Sequence, residues 1–266
     1  MIVIILIILS SLLYAGAFVC AAIDKKNAFN ISIWLAWVAF LSQGAALAIR
    51  QIECGTVFAT SYDLLETFVF AFVACVLFCR SFLGIKFLEF FSMLPISILT
   101  ILPVFCPVFA DALSDRAVSK IGSEAATMHG ILAAFSYAAM GMACLFACMY
   151  LIQKRLLQKK MSNKFGALIP SIGLLYKALR ASATSAFVFM FASILFAVAA
   201  IKPESADAAQ IFKFSIGFAV FAIQGALCFA VKRRIFSEGK AALITLAATA
   251  ICLLLLLAME LKKFII

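Results

Sequence analysis

Long apolar runs dominate the chain, at about 1–22, 31–49, 64–80, 87–109, 128–152, 181–201, 211–231 and 241–260. Each comes near the ~20 residues that a helix needs to cross a ~30 Å hydrocarbon core. The runs are apolar on every side and lack the alternation over about ten positions that marks a strand of an outer-membrane barrel. The pattern predicts an all-α polytopic membrane bundle of about eight transmembrane helices, forming a single transmembrane domain over 1–266. The first run contains no Lys or Arg before its apolar stretch, unlike a secretory leader, and is read as a retained helix.

A few polar residues interrupt the runs. FLSQGAALAI (Phe40 to Ile49) and FAIQGALCFA (Phe221 to Ala230) each set a Gln-Gly pair inside an apolar stretch. An amide left unsatisfied there costs about 1–3 kcal/mol, so Gln43 and Gln224 need partners, either across helices or lining a polar cavity. Pro95, Pro103 and Pro107 punctuate the fourth run and are expected to bend or fray it, most at its later end. Asp63 and Glu66, spaced i, i+3 at the start of the third run, suit the capping of a helix N-terminus.

The gaps between runs carry the charge. Lys and Arg number two in 23–30, two at Arg80 and Lys86, seven in 153–180 and four in 232–240, against seven elsewhere, and nine of the twelve acids fall on the other side. Positive-inside bias places those four basic segments in the cytoplasm of a cell with a cytoplasmic (inner) membrane, with both termini extracytoplasmic. The longest gap, 153–180, holds cations and no anion, and its apolar positions Leu168, Ile169, Ile172, Leu175 and Leu179 predict a short interfacial helix after Pro170; a docking surface for a partner protein is the competing reading.

Composition agrees: 67% of residues are hydrophobic and 13% charged, with 28 phenylalanines, far from the roughly 25% charged residues of soluble domains. The lipid bilayer is therefore the first partner. The net charge of +10 is an orientation signal; no aromatic-interleaved basic motif accompanies it, so no nucleic-acid partner is expected. Nine cysteines occur without C-x-x-C or C-x-x-C-H, which excludes thioredoxin-like exchange and covalent haem attachment. Cys75/Cys79 and Cys144/Cys148, at i, i+4, read as small packing residues. Cys54 and Cys106 both fall near the outer face, where an oxidising compartment permits a disulfide.

The single histidine, His129, opens the stretch MHGILAAFSYAAMGMACLFACMY. Helical spacing puts Ala133, Ser136, Tyr137, Met140, Cys144 and Cys148 on its side, a small, mildly polar stripe suited to a bundle interior. An ionisable residue in such a helix is a functional candidate by default, against the plainer reading of a hydrated interfacial histidine. No nucleophile, base and orienting group, no phosphate loop and no zinc spacing can be recognised, so nothing points to a stand-alone enzyme.

Three stretches resemble the cytochrome c assembly family of haem-handling membrane proteins, which includes the CcsA-type synthase component and the shorter HemX-like proteins. SYDLLETF is similar to the family's entry into its third helix, MHGILAAFSYAAMGMACLFACMYLIQKRLLQKK to its His-led helix with a basic tail, and IPSIGLLYKALRASATSAFVFMFASILFAVAA to the segment leading into the next helix. The resemblance implies a membrane accessory protein of cytochrome c biogenesis that binds haem and works with other cytochrome c maturation proteins. It makes His129 an axial ligand to haem iron, opposite water, a thioether such as Met128 or Met140, or an empty position. Gln43, and a position within Gln224 to Phe229, fall where the family carries ligand histidines. The two glutamines are then expected to keep the cavity polar or to bond across helices without holding iron. With no tryptophan-rich external loop and no second histidine, the chain is closer to the HemX-like branch. Two other functions fit the same sequence: a transporter or exporter of a small amphipathic molecule, suggested by the proline-broken fourth run and the Gln-Gly echo, and a non-haem scaffold for a soluble partner.

The charge bias generates one prediction. A single-cysteine probe at Ser114 is expected to react with a membrane-impermeant thiol reagent added from outside, and one at Ser162 only after permeabilisation; the opposite pattern would invert the orientation.

Overall fold

A computed structural model of the chain describes residues 2–23, 26–54, 61–82, 84–85, 87–105, 124–159, 169–200 and 208–265. They form eight helices and, among the described residues, no strand: α1 (Ile2–Ala22), α2 (Lys26–Cys54), α3 (Ser61–Phe82), α4 (Leu88–Phe105), α5 (Glu124–Gln158), α6 (Ile172–Ala200), α7 (Ala208–Lys232) and α8 (Glu238–Ile265). Each contains a stretch long and apolar enough to cross a membrane, so the expected all-helical, multi-pass architecture stands. The expected bounds were mostly too narrow, because a polar residue in a helix's end turns does not end the helix. Arg50 belongs to α2, and residues 172–180, assigned above to the basic segment as an interfacial helix, are the first turns of α6.

The helices gather into two compact units, 1–122 and 123–266. In the first, α1 packs against α2 and α4, and α3 closes the ring between them; in the second, α5 packs against α6 and α8, and α7 closes the ring. The two units thus repeat one cyclic order.

Helices in lipid gain little from hydrophobicity when they pair, since acyl chains are as apolar as leucine; close approach and hydrogen bonds must hold them. The sequence supplies both. The inward stripe of α1 is Val3, Ile7, Ser10, Ser11, Tyr14, Ala17 and Ala21, a helical period with small residues at every second contact. Around one end of it Val3 and Ile7 meet Ala46 and Tyr62, flanked by Leu6, Ile49 and Val104. On α5 the buried face is chiefly Ala134, Ala138, Ala143 and Ala147, with Met140, Met142 and Met149 filling the gaps between them. Large aliphatic and aromatic residues such as Leu12, Ile98, Phe191 and Leu254 are exposed, as expected of faces turned to acyl chains.

Serines latch the pairs. Ser11 Oγ donates to the Ser97 carbonyl and Ser97 Oγ to the Ser11 carbonyl, each at 2.9 Å, a reciprocal rung between α1 and α4. Ser32 donates to Ala17 O at 2.7 Å and Ser42 to Leu6 O at 3.1 Å, fixing α1 against α2. Pro95 and Pro103 lie inside α4; Pro107 lies outside the described residues. The α3–α4 turn places Gly84 at φ 64° and Phe87 at φ 67°, and Arg80 spans it to reach Glu89 at 2.7 Å. α7 ends with Ile235 N–H bonded to Ala230 O and Arg234 N–H to Val231 O, the Schellman closure, with Arg234 itself at φ 52°.

The Gln-Gly echo acquires its meaning here. A Cβ on Gly44 would lie 3.2 Å from the ring of Phe70 in α3, and one on Gly225 would lie 3.1 Å from the ring of Phe187 in α6. In the first unit the glycine is on the second helix and the ring on the third; in the second unit these places are exchanged. Each ring is backed by another: Phe70 stacks on Phe40 at 4.3 Å and Phe187 on Phe221 at 5.1 Å. Neither can retreat freely. Gly44→Leu and Gly225→Leu are each expected to destabilise the protein by about 1–3 kcal/mol through overpacking, read from unfolding in mixed micelles, while Gly217→Leu, where a Cβ meets nothing within 4 Å, should cost far less.

Candidate functional site

His129 lies in the second turn of α5, half-buried. Its Nδ1 is 2.9 Å from the Ser193 carbonyl and 2.8 Å from Ser193 Oγ on α6. Ser193 Oγ in turn lies 3.0 Å from the His129 carbonyl and donates to it. One proton assignment satisfies all three contacts: the hydroxyl gives its only proton to the His129 carbonyl, so Nδ1 must carry the ring proton and donate to Ser193. Nε2 is then the bare nitrogen, and it has no partner among the described residues. Anchoring the far nitrogen of a histidine on a carbonyl is how proteins orient imidazole for a metal.

Two turns along α5, Ser136 donates to Ala186 O at 2.8 Å and meets the Gln224 amide at 3.1 Å. The pairs 129/193 and 136/186 share one antiparallel register, so these rungs fix α5 against α6 just as the serine rungs fix α1. Since the Ser136 proton goes to Ala186, the Gln224 amide serves Ser136 best with its NH2 group. In either orientation of that amide one of its polar atoms is buried without a partner among the described residues. Gln224 is thus brought to the same face of α5 as His129, but about 10 Å deeper along the axis.

Gln43 belongs to the first unit and is fully engaged. Tyr14 OH donates to its Oε1 at 2.9 Å, and its Nε2 donates to Glu66 Oε2 at 2.8 Å and, more weakly, to Glu66 O at 3.5 Å. Next to this centre Arg50 pairs with Asp63, both buried, and stacks on the Tyr62 ring at 5.1 Å. Asp63 lies in the first turn of α3, where negative charge suits the helix N-terminus, and also pairs with Arg50; Glu66, further in, is 1% exposed with its Oε1 unpartnered among the described residues. The i, i+3 spacing was the right signal, but the cation and the amide that claim the acids sit on another helix. Ser193, likewise, looks like any small residue in FMFASILF until the fold places it against His129.

Among the described residues no group of three or more His, Cys, Asp or Glu converges on a metal position. Cys75, Cys79, Cys144 and Cys148 are unbonded thiols within helices, as the packing reading expects; the side chain of Cys54, and Cys106, lie outside the described residues. Met140 is buried eleven residues along α5 from His129, about 16 Å of helix, and Met128, the adjacent residue, is exposed. Comparison of the chain with protein-family models, with curated proteins and with solved structures finds no match.

Removing Gln43 strands a phenol and a carboxylate in the bundle interior. Gln43→Leu is expected to cost on the order of 1–3 kcal/mol, measured by unfolding in mixed micelles, whereas Ser32→Ala, which leaves only a carbonyl already bonded within its own helix, should cost about 0.6 kcal/mol. Equal costs would show that the Tyr14–Gln43–Glu66 centre does not act as a unit.

Proposed function

We propose that this is a haem-handling membrane protein of the cytochrome c assembly type, nearest the HemX-like branch, that takes haem iron on His129. It lies in the cytoplasmic membrane with both termini on the outer side and His129 toward that side. One observation carries the reading: a lone histidine whose Nδ1 is held by Ser193, which leaves Nε2 without a partner among the described residues. With no cluster of His, Cys, Asp or Glu among the described residues to complete a coordination sphere, one imidazole holds a metal well only when the metal arrives with its equatorial ligands already supplied, as iron does in a tetrapyrrole.

Bound haem would supply iron as the metal centre. The chain's own residues do the rest of the positioning. Ser193 sets the tautomer and turns the ring through its contacts with Nδ1. Phe135 and Phe189, 5.8 Å apart between ring centres, add an aromatic pair between α5 and α6. Gln43 and Gln224 keep to bonding between helices, as the resemblance implies for positions where other members carry histidine. One protein ligand makes for a readily exchanged complex, which suits a protein that passes haem on. No catalysis of thioether formation is assigned to it.

Purified protein titrated with haem should develop a Soret band that shifts in His129→Ala and is partly restored by added imidazole. Ser193→Ala should keep the band but weaken haem retention by about 10–100-fold, the usual effect of losing an outer-shell partner. No haem uptake by the wild type, or an unchanged spectrum in His129→Ala, would overturn the assignment and favour the transporter or scaffold reading.

A further inference from the structure

At the opposite end of α6 from Ser193, its first turns and the last turn of α7 border an open depression of about 340 Å³ lined by Lys177, Arg180, Ala181, Thr184 and Lys232. Three cations and no acid line it, and the ion pairs found among the described residues, Arg50–Asp63 and Arg80–Glu89, involve none of the three. Glu238, which opens α8, is engaged by the Tyr150 hydroxyl at 3.3 Å. The walls are fixed: Thr184 donates to the Arg180 carbonyl at 2.9 Å, and Cys228 of α7 reaches the Thr184 hydroxyl at 3.7 Å. Like charges gathered in one pocket repel each other, and an anion seated among them relieves that repulsion while accepting several charge-assisted hydrogen bonds.

A strip of exposed residues leads away from the pocket along α6: Ala181, Ser185, Val188, Phe191 and Leu195, spaced three or four apart on one side of the helix. Val188, Phe191 and Leu195 are each about half exposed. A cationic pocket at the end of a membrane helix, continuous with an apolar strip running toward the bilayer centre, matches an amphiphile with an anionic head and a hydrocarbon chain. A soluble anion would use the pocket and leave the strip idle. We propose that the pocket binds the phosphoryl group of an anionic membrane lipid, with one acyl chain lying along the α6 strip. The cationic pocket lies about 20 Å along α6 from Ser193, and its test does not depend on haem.

The full-length protein in neutral detergent is titrated with phosphatidylglycerol, phosphatidylcholine or inorganic phosphate at matched ionic strength, and thermal unfolding is followed. Phosphatidylglycerol is expected to stabilise the protein saturably, and the other two are not. Replacing Lys177, Arg180 and Lys232 together with Gln should weaken the apparent affinity about a hundredfold, roughly fivefold per charge, while the charge-preserving exchange K177R/R180K/K232R should retain it. A second reading leaves the pocket untouched: in Val188→Trp, fluorescence above that of the wild-type tryptophans should be quenched more by phosphatidylglycerol with brominated chains than by brominated phosphatidylcholine. Equal quenching by the two lipids, or undiminished affinity in the triple Gln variant, overturns the proposal. Equal stabilisation by inorganic phosphate alone overturns it too, and makes the ligand a soluble phosphate.

Discussion

A polar side chain in hydrocarbon has no water as an alternative partner, so each one placed between helices must find its hydrogen bonds inside the protein. That constraint shapes both units. Ser11 with Ser97, and His129 with Ser193, each form a closed exchange in which the side chain of one residue bonds the backbone of the other and receives a bond in return. Such exchanges work only at one rotation and one register of the two helices. They therefore hold the pairs at fixed register where dispersion between alanines alone would allow sliding. The haem reading depends on the same bond: the contact that fixes α5 against α6 also decides which imidazole nitrogen is bare.

The helices were legible in the sequence because hydrophobic length is a direct consequence of bilayer thickness, and Gln43 and Gln224 stood out because an amide is costly in an apolar run. Their partners were not legible. Gln43 is answered by Tyr14 and Glu66 on two other helices, and nothing local to LSQGAA names either. Asp63 and Glu66 were visible as an acidic pair at a helix start, where surface rules suggest a cap, but their partners Arg50 and Gln43 lie on another helix. The start of α6 was missed for a related reason. Lys177 and Arg180 look like loop residues when charge is counted, yet their long stems let a helix continue while the charged heads stay at its rim. The division into two units was hidden as well, because composition is uniform along the chain.

Glu66 and Gln224 mark an asymmetry between otherwise similar rings. In the first unit a carboxylate, an amide and a phenol form a connected centre beside a buried ion pair, with one carboxylate oxygen unanswered. In the second the amide has a single serine, and the histidine stands two turns away toward the helix start. The first unit thus carries most of the buried charge and the second the group best suited to a metal.

The closure of each ring within its own unit bears on how the chain is made. The inter-helix bonds described above join α1 to α4, α1 to α2, α2 to α3, or members of the α5–α8 set, and none needs a residue from the other half. The chain segments that carry Tyr14, Gln43, Arg50, Asp63 and Glu66 leave the ribosome before most of α5–α8 is synthesised, so these contacts can form in the nascent chain. The cross-helix bonds of the first half therefore need not wait in lipid for the second half to be translated.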